Sequence, residues 1–357
     1  ADHALTFKLD LSRGADQKGL AMVEAHSTTQ TDVSTSIWVE SEWAELKECV
    51  YGSPDTWVLP KFLDDSKLRA QGEMGKFWIE NQERSVKDSD PELFAEWSRQ
   101  IQGAIDLLES LGIVVHVAGE ISEDNLKFPR GENHGIVTGW MRDPFVTIAN
   151  NVIELAPRSL FHRRQRFAIR EILAQTMDRG ARYFAQPDAG ADSVSDGPGW
   201  GYLEGGDIFV LGKRILVGHS GGCSNPEGAR WLQHALGPDY TVDTVTIDPM
   251  FPHLDCVMMT PREGVVFAAL EALPENLPSF MDDWDVVDVP KSLAKSNMGC
   301  NNLVLNDQTV IVPEEEPLDF IAENLKVRGF EVIRIPYRAP CSAGGSFRCA
   351  HQPLIRR

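Results

Sequence analysis

No stretch of the sequence is apolar for anything near the length of a bilayer-spanning helix, so no membrane is expected as a partner. The first residues, Ala1-Asp-His-Ala-Leu-Thr-Phe-Lys8, lack the charged-then-apolar layout of a secretory leader, and the placement expected from this is cytoplasmic. Cysteine is sparse. Six in 357 residues cannot make a disulfide scaffold, and no Cys-x-x-Cys pair is present to suggest a structural zinc site. The nearest approach, His253-Leu-Asp-Cys256, offers one imidazole and one thiol without partners, so neither a metal nor an organic cofactor is expected. Positive charge is also short: 34 Lys and Arg against 53 Asp and Glu leave a net charge of −19. That balance argues against nucleic acid and is compatible with cationic substrates.

What the chain does have is apolar content, 42% over 357 residues, enough for a large core. Residues 1–36 are polar and end in Ser27-Thr-Thr-Gln-Thr-Asp-Val-Ser-Thr-Ser36, which predicts an arm outside the core, while 37–357 read as one domain. Within it one order of elements recurs. Ile37-Trp-Val39 and Glu48-Cys-Val-Tyr-Gly52 read as strands, Pro91 to Leu111 has helical periodicity, and Ile113 to Ala118 is a strand. Phe145 to Ile148 and Val152 to Leu155 flank a turn at Ala149-Asn-Asn151 and precede a long helix, Arg166 to Met177, closed by Gly180. Ile208 to Leu211 and Ile215 to Gly218 form another hairpin, followed by helix Pro226 to Leu236 and strand Thr241 to Ile247. Cys256 to Thr260 pairs with Val265 to Ala268, with a weaker helix after it. Leu303 to Leu305 pairs with Thr309 to Val312, ahead of helix Leu318 to Arg328 and strand Glu331 to Ile335. Units recurring about every fifty residues mark a repeat architecture, and the expected fold is α/β, a five-bladed ββαβ propeller around a central site.

If the units share an axis, the residues just before each first strand cluster at one end. Those residues are Arg142-Asp143, Glu204-Gly-Gly-Asp207, His253-Leu-Asp255 and Asn301-Asn302; after the last strand comes the turn Gly344-Gly345-Ser346 with Arg348 and Cys349. A lone cysteine is more often a small buried apolar residue, an Arg-Asp pair a salt bridge, and Glu-Gly-Gly-Asp a turn. Their shared position at the unit starts is what links them. Carboxylates around a thiol repel an anionic substrate and raise the thiol's pKa, whereas a planar cation suits them. A guanidinium pairs bidentately with carboxylates, so Asp143, Glu204 and Asp255 are placed to hold its edges while Cys349 attacks its carbon. The cation itself favours the thiolate. His253 then serves as general acid to the departing amine and later as base.

Met141-Arg-Asp143, Leu203-Glu-Gly-Gly-Asp207, His253-Leu-Asp255 and the terminal Gly344-Gly-Ser-Phe-Arg-Cys349 resemble the guanidino-group-modifying enzymes, above all the arginine:glycine and inosamine-phosphate amidinotransferases. Similarity spans about residues 37–357, including Glu40-Ser-Glu-Trp-Ala-Glu-Leu-Lys-Glu-Cys-Val50, Val152 to Arg158, Arg179-Gly-Ala-Arg-Tyr183 and Ala235 to Val242. The resemblance implies a pentein-type propeller, Cys349 as nucleophile, His253 as acid and base, Glu204 and Asp143 on the guanidinium, and Asp255 in support. Arg142, Asp207 and Asn302 complete the expected substrate-binding set. It further implies an arginine-like donor and an amine acceptor, with a homo-oligomer left open. Leu203-Glu-Gly-Gly-Asp207 itself is similar to the hydrolase branch of arginine deiminase and dimethylargininase, where water takes the same intermediate; Arg348 replaces the usual His before the nucleophile.

Two other readings compete. Gly218-His-Ser-Gly-Gly222 matches a serine-hydrolase elbow, with Asp248 and His253 after it, although Cys223-Ser-Asn-Pro226 delays the helix. A non-catalytic propeller that binds a cation is the second. The basic run Arg158, Arg163, Arg164, Arg166 and Arg170 reads as a solvated helix face or as a contact for an anionic group. The acceptor is expected to be shaped by loops 119–135 and 185–202.

Overall fold

The computed structural model describes residues 36–61, 72–128, 135–188 and 200–357, so nearly all of the expected N-terminal arm and parts of both acceptor loops lie outside the described residues. The first strands are β1 (Trp38–Val39), β2 (Leu46–Tyr51), β3 (Trp57–Val58), β4 (Val114–Val117) and β5 (Ile136–Val137). Four triplets follow: β6 (Phe145–Ile148), β7 (Asn151–Glu154) and β8 (Arg182–Ala185); β9 (Ile208–Leu211), β10 (Arg214–His219) and β11 (Thr241–Thr246); β12 (Met258–Arg262), β13 (Val265–Ala268) and β14 (Asp285–Asp288); β15 (Leu303–Asn306), β16 (Thr309–Pro313) and β17 (Glu331–Ile335). The last strand is β18 (His351–Arg356). In each triplet the first two strands are antiparallel and the third lies parallel to the second. The first sheet repeats that pattern with strands from both ends of the chain, in the order β1-β18-β2-β4. β18 is antiparallel to β2, and β4 parallel to it.

The central strands explain themselves from composition. Phe145-Val-Thr-Ile148 and Val265-Val-Phe-Ala268 are buried along their whole length, as expected of β-branched and aromatic runs covered on both faces. Gly212 and Gly264 turn two of the hairpins at φ of +71° and +81°, a region in which a Cβ is strained. Helix α1 (Pro91–Ser110) begins with Pro91 in its first turn and the Asp90 carboxylate accepting from the Leu93 amide at 2.9 Å. Its Trp97, Ile101, Ala104, Ile105 and Leu108 stripe packs into a core shared with Leu46, Tyr51, Phe347 and Cys349. The remaining labelled helices are α2 (Arg170–Gln175), α3 (Pro226–Leu236), α4 (Lys291–Asn297), α5 (Asp319–Val327) and α6 (Phe347–Ala350). No helix among the described residues is long and apolar enough to cross a membrane.

Three expectations are corrected and one strand is added. The buried β18, beyond the last strand expected from the sequence, lies between β1 and β2, and its Arg356 donates to the carbonyls of Ala44 and Val304 at 2.8 and 2.7 Å. The helix over Arg166 to Met177 is broken into a 3-10 turn, α2 and a second 3-10 turn that Gly180 closes. The basic run is not a solvated face: Arg163, Arg164 and Arg166 are buried. Arg164 donates to the carbonyls of Phe128 and Gly135, while Arg166 meets Asp188 and Arg170 meets Glu154. These side chains fasten neighbouring loops, and their reach to non-helical carbonyls accounts for the tightened turns. Finally, β13 and β14 are connected through 3-10 turns without an α-helix.

Because β18 supplies the central pairing of the first sheet, deleting residues 351–357 is expected to abolish the cooperative thermal transition seen by circular dichroism. A truncated chain that melts like its parent would refute that role.

Candidate active site

Each expected residue lies where its sheet begins. Asp143 precedes β6; Glu204 leads a 3-10 turn into β9; His253 leads another into β12; Asn301 precedes β15; Cys349 lies on α6, ahead of β18. These segments are joined in a closed ring of hydrogen bonds. The Gly206 amide donates to Asp143 Oδ1 at 2.9 Å, the Leu254 amide to Asp207 Oδ1 at 2.9 Å, and Asn301 Nδ2 to the Asp255 carbonyl at 3.2 Å. The Cys349 amide donates to Asn301 Oδ1 at 3.1 Å, and the Arg142 amide to the Cys349 carbonyl at 3.0 Å. Every segment therefore donates to the one before it, and the last link returns to the first.

Inside the ring, His253 Nε2 lies 2.6 Å from Glu204 Oε2, and its Nδ1 lies 3.8 Å from Asp143 Oδ1. Burial opposes the charged imidazole, yet Asp143, Cys223 and Glu204 together raise its pKa well above the ordinary value. Burial likewise pushes the Glu204 carboxyl up, but His162 and His253 outweigh it and hold it at about 2. At neutral pH the pair is thus imidazolium and carboxylate. Gly206 is required by this packing, since a Cβ there would lie 2.7 Å from His253 Nδ1.

Cys349 Sγ lies 3.8 Å from Asp255 Oδ2. Burial, then Asp255 and Asp143, raise its thiol well above the usual range, with His253 acting in the opposite sense. Arg348 shares the Asp255 Oδ2 atom with the thiol. Its guanidinium donates to Asp255 Oδ2 at 2.9 Å and to Glu42 at 3.1 and 3.3 Å, and it stacks on Phe209 at 3.9 Å. Burial pushes Glu42 up, but Arg348, Arg142 and Arg356 prevail and hold it at about 2.

Three expected substrate ligands have partners within the protein. Arg142 is turned to Glu42 and the carbonyls of Gly205 and Ile208. Asp207 accepts the amides of Leu254 and Ser224, with burial first among the causes raising it to about 7. Asn302 donates to the Gly299 carbonyl and lines a small cavity with Glu42, Arg348 and His351. Its neighbour Asn301 is the residue that meets Cys349. Sequence reading also passed over Glu42, 100 residues before Arg142, and His162, whose Nδ1 lies 3.6 Å from Asp143 Oδ2. The serine-hydrolase arrangement is not formed: Ser220 Oγ donates to the Pro252 carbonyl at 3.2 Å, while Asp248 is paired with Lys291.

No family model matches the chain. It is 24% identical over 361 residues to an L-arginine:L-lysine amidinotransferase from Pseudomonas savastanoi pv. phaseolicola, covering 92% of this chain and 97% of that protein. The inosamine-phosphate amidinotransferase of Streptomyces griseus shares its fold at a TM-score of 0.75 and 21% identity, over 90% of this chain and 97% of that one. A dimethylarginine dimethylaminohydrolase overlaps at a TM-score of 0.56 and 16% identity, over 86% of this chain and 99% of that one. Over nearly its whole length the chain is thus similar in sequence to amidinotransferases, and it shares its fold with enzymes that act on guanidino groups.

Two measurements test this geometry. Asn301→Ala removes one donor and leaves the Ser346 and Cys349 amides without their shared acceptor, so stability in urea should fall by about 2–3 kcal/mol; a change within error would sink the ring. Since the thiol is raised, alkylation of Cys349 by iodoacetamide should be slow at neutral pH and accelerate above pH 9. Half-maximal labelling below pH 8 by peptide mass spectrometry would contradict it.

Proposed function

We propose that the protein is a cysteine-dependent amidinotransferase. The observation that carries this is the buried Cys349 beside Asp255, in one ring with the Asp143, His253 and Glu204 charges. The free thiol is protonated among carboxylates; a bound guanidinium supplies the missing positive charge, and the thiol proton leaves to solvent. Cys349 Sγ then bonds to the guanidinium carbon, the carbon–nitrogen bond to the donor breaks, and the departing amine takes the proton held on His253. An amine acceptor reverses these steps: its nitrogen bonds to the amidino carbon, its proton passes to neutral His253, and the thiolate leaves. We read Asp143 and Glu204 as the carboxylates that hold the substrate's cationic head, with Asp255 in support and an arginine-like molecule as donor.

We further read the five sheets as blades of a pentein-type propeller that closes around this site; the ring of hydrogen bonds between their first segments supports closure. Hydrolysis of the same intermediate is the second reading, favoured by the Glu204-Gly-Gly-Asp207 sequence. Transfer has the broader support, because near-complete coverage at 24% identity is with an arginine:lysine amidinotransferase.

Incubation with arginine, with and without lysine or glycine, separates the two. Ornithine formed only when an amine is present, together with a guanidinylated product, is the expected outcome, and Cys349→Ala should lose at least ~10³-fold in rate. Citrulline or ammonia formed without an amine would overturn transfer; an unimpaired Cys349→Ala enzyme would overturn the mechanism.

A further inference from the structure

Cys223 takes no part in the proposed reaction, yet its sulfur, one nitrogen of His253 and one oxygen of Glu204 all lie within 4.8 Å of one another. The three come from separate segments. Glu204 precedes β9, His253 precedes β12, and Cys223 sits between Gly221-Gly222 and α3, in the Gly218-x-Ser-x-Gly222 stretch that the chemistry leaves unexplained. Thiolate, imidazole and carboxylate are the donor set that Zn²⁺ selects, at bonds of about 2.0–2.3 Å that put the ligand atoms of a tetrahedral site ~3–4 Å apart. The 2.6 Å link between His253 Nε2 and Glu204 Oε2 is already shorter than that, and a cation would take the place of the proton they share.

To hold an ion the His253–Glu204 contact has to open and Cys223 to close in, and the surroundings of Cys223 allow its part. Gly221 stands at φ +83° with open space where a Cβ would be, and Cys223 itself is only half-buried, which gives an ion a way in. The outer contacts of a metal site are present as well: Glu204 Oε1 accepts from the Arg158 amide at 3.1 Å, and His253 turns its other nitrogen to Asp143.

We propose that Glu204, Cys223 and His253 form an inhibitory site for Zn²⁺, in which the ion displaces the Cys223 proton and the proton shared by His253 and Glu204. Binding rests on the side-chain geometry alone; inhibition rests on the roles proposed for His253 and Glu204.

Co²⁺ added to the full chain reports binding without any reference to turnover. A thiolate-to-cobalt charge-transfer band, removed by Zn²⁺, is expected in the parent and in Cys349→Ser, and is expected to be absent from Cys223→Ser. His253→Gln should weaken the cobalt affinity at least ~10-fold and keeps the test decisive should Cys223→Ser fail to fold. A band that persists without Cys223, disappears with Cys349→Ser, or never forms at millimolar cobalt overturns the site. In the turnover assay, Zn²⁺ inhibition should be reversed by a chelator and require at least ~10-fold more Zn²⁺ in Cys223→Ser. If the cobalt band behaves as expected and arginine is not turned over, the proposed reaction is at fault and the metal site stands.

Discussion

The closed ring of hydrogen bonds around the buried thiol is the constraint from which the remaining features follow. Five segments, each at the start of its own sheet, leave backbone amides and carbonyls facing a common centre where no sheet can pair them. Buried amides without partners cost about 1–3 kcal/mol each, so the segments must satisfy one another. They do so through Asp143, Asp207 and Asn301, polar side chains whose free ends would otherwise be misfits in a core. Because the link from Arg142 to the Cys349 carbonyl joins the second unit to the end of the chain, the ring forms only when β18 has entered the first sheet.

Charge within that ring is graded. One layer is rich in guanidiniums: Glu42 lies among Arg142, Arg348 and Arg356, and Arg348 also meets Asp255. Isolated buried charges are costly, and this layer gives both carboxylates cationic partners. The other layer is left with acidic groups around His253 and Cys349. There the thiol is held in its protonated form and the imidazole in its charged form, whereas the resting pair of a cysteine protease is thiolate and imidazolium. In the proposed reaction this imbalance is useful, since the nucleophile is released only when a cation enters, and stray electrophiles meet a thiol of low reactivity.

The glycines of Glu204-Gly-Gly-Asp207 show how a sequence motif is read differently at the two levels. As sequence they are a turn; in three dimensions Gly205 and Gly206 are flush against the Arg142 carbonyl and the His253 ring, with no room for a methyl group. Gly345 is likewise pressed on the Trp140 indole, so the turn before α6 is a contact surface as much as a hinge.

The linear sequence determined much of this protein. Strand periodicity, turn glycines and capped helices gave the repeated hairpin-plus-parallel-strand unit, because those signals act over a few residues and the interior selects the same apolar types everywhere. It also placed Asp143, Glu204, His253 and Asp255 at equivalent positions, since equivalence along a repeat is visible without contacts; the matching position of Cys349 emerged only with β18. Tertiary structure alone decided which of two adjacent asparagines meets the cysteine, that Arg348 joins Glu42 to Asp255, that the basic run is buried, and that β18 divides β1 from β2. Each of these depends on partners well beyond the reach of a turn or a helix, and such pairings are not encoded in local pattern.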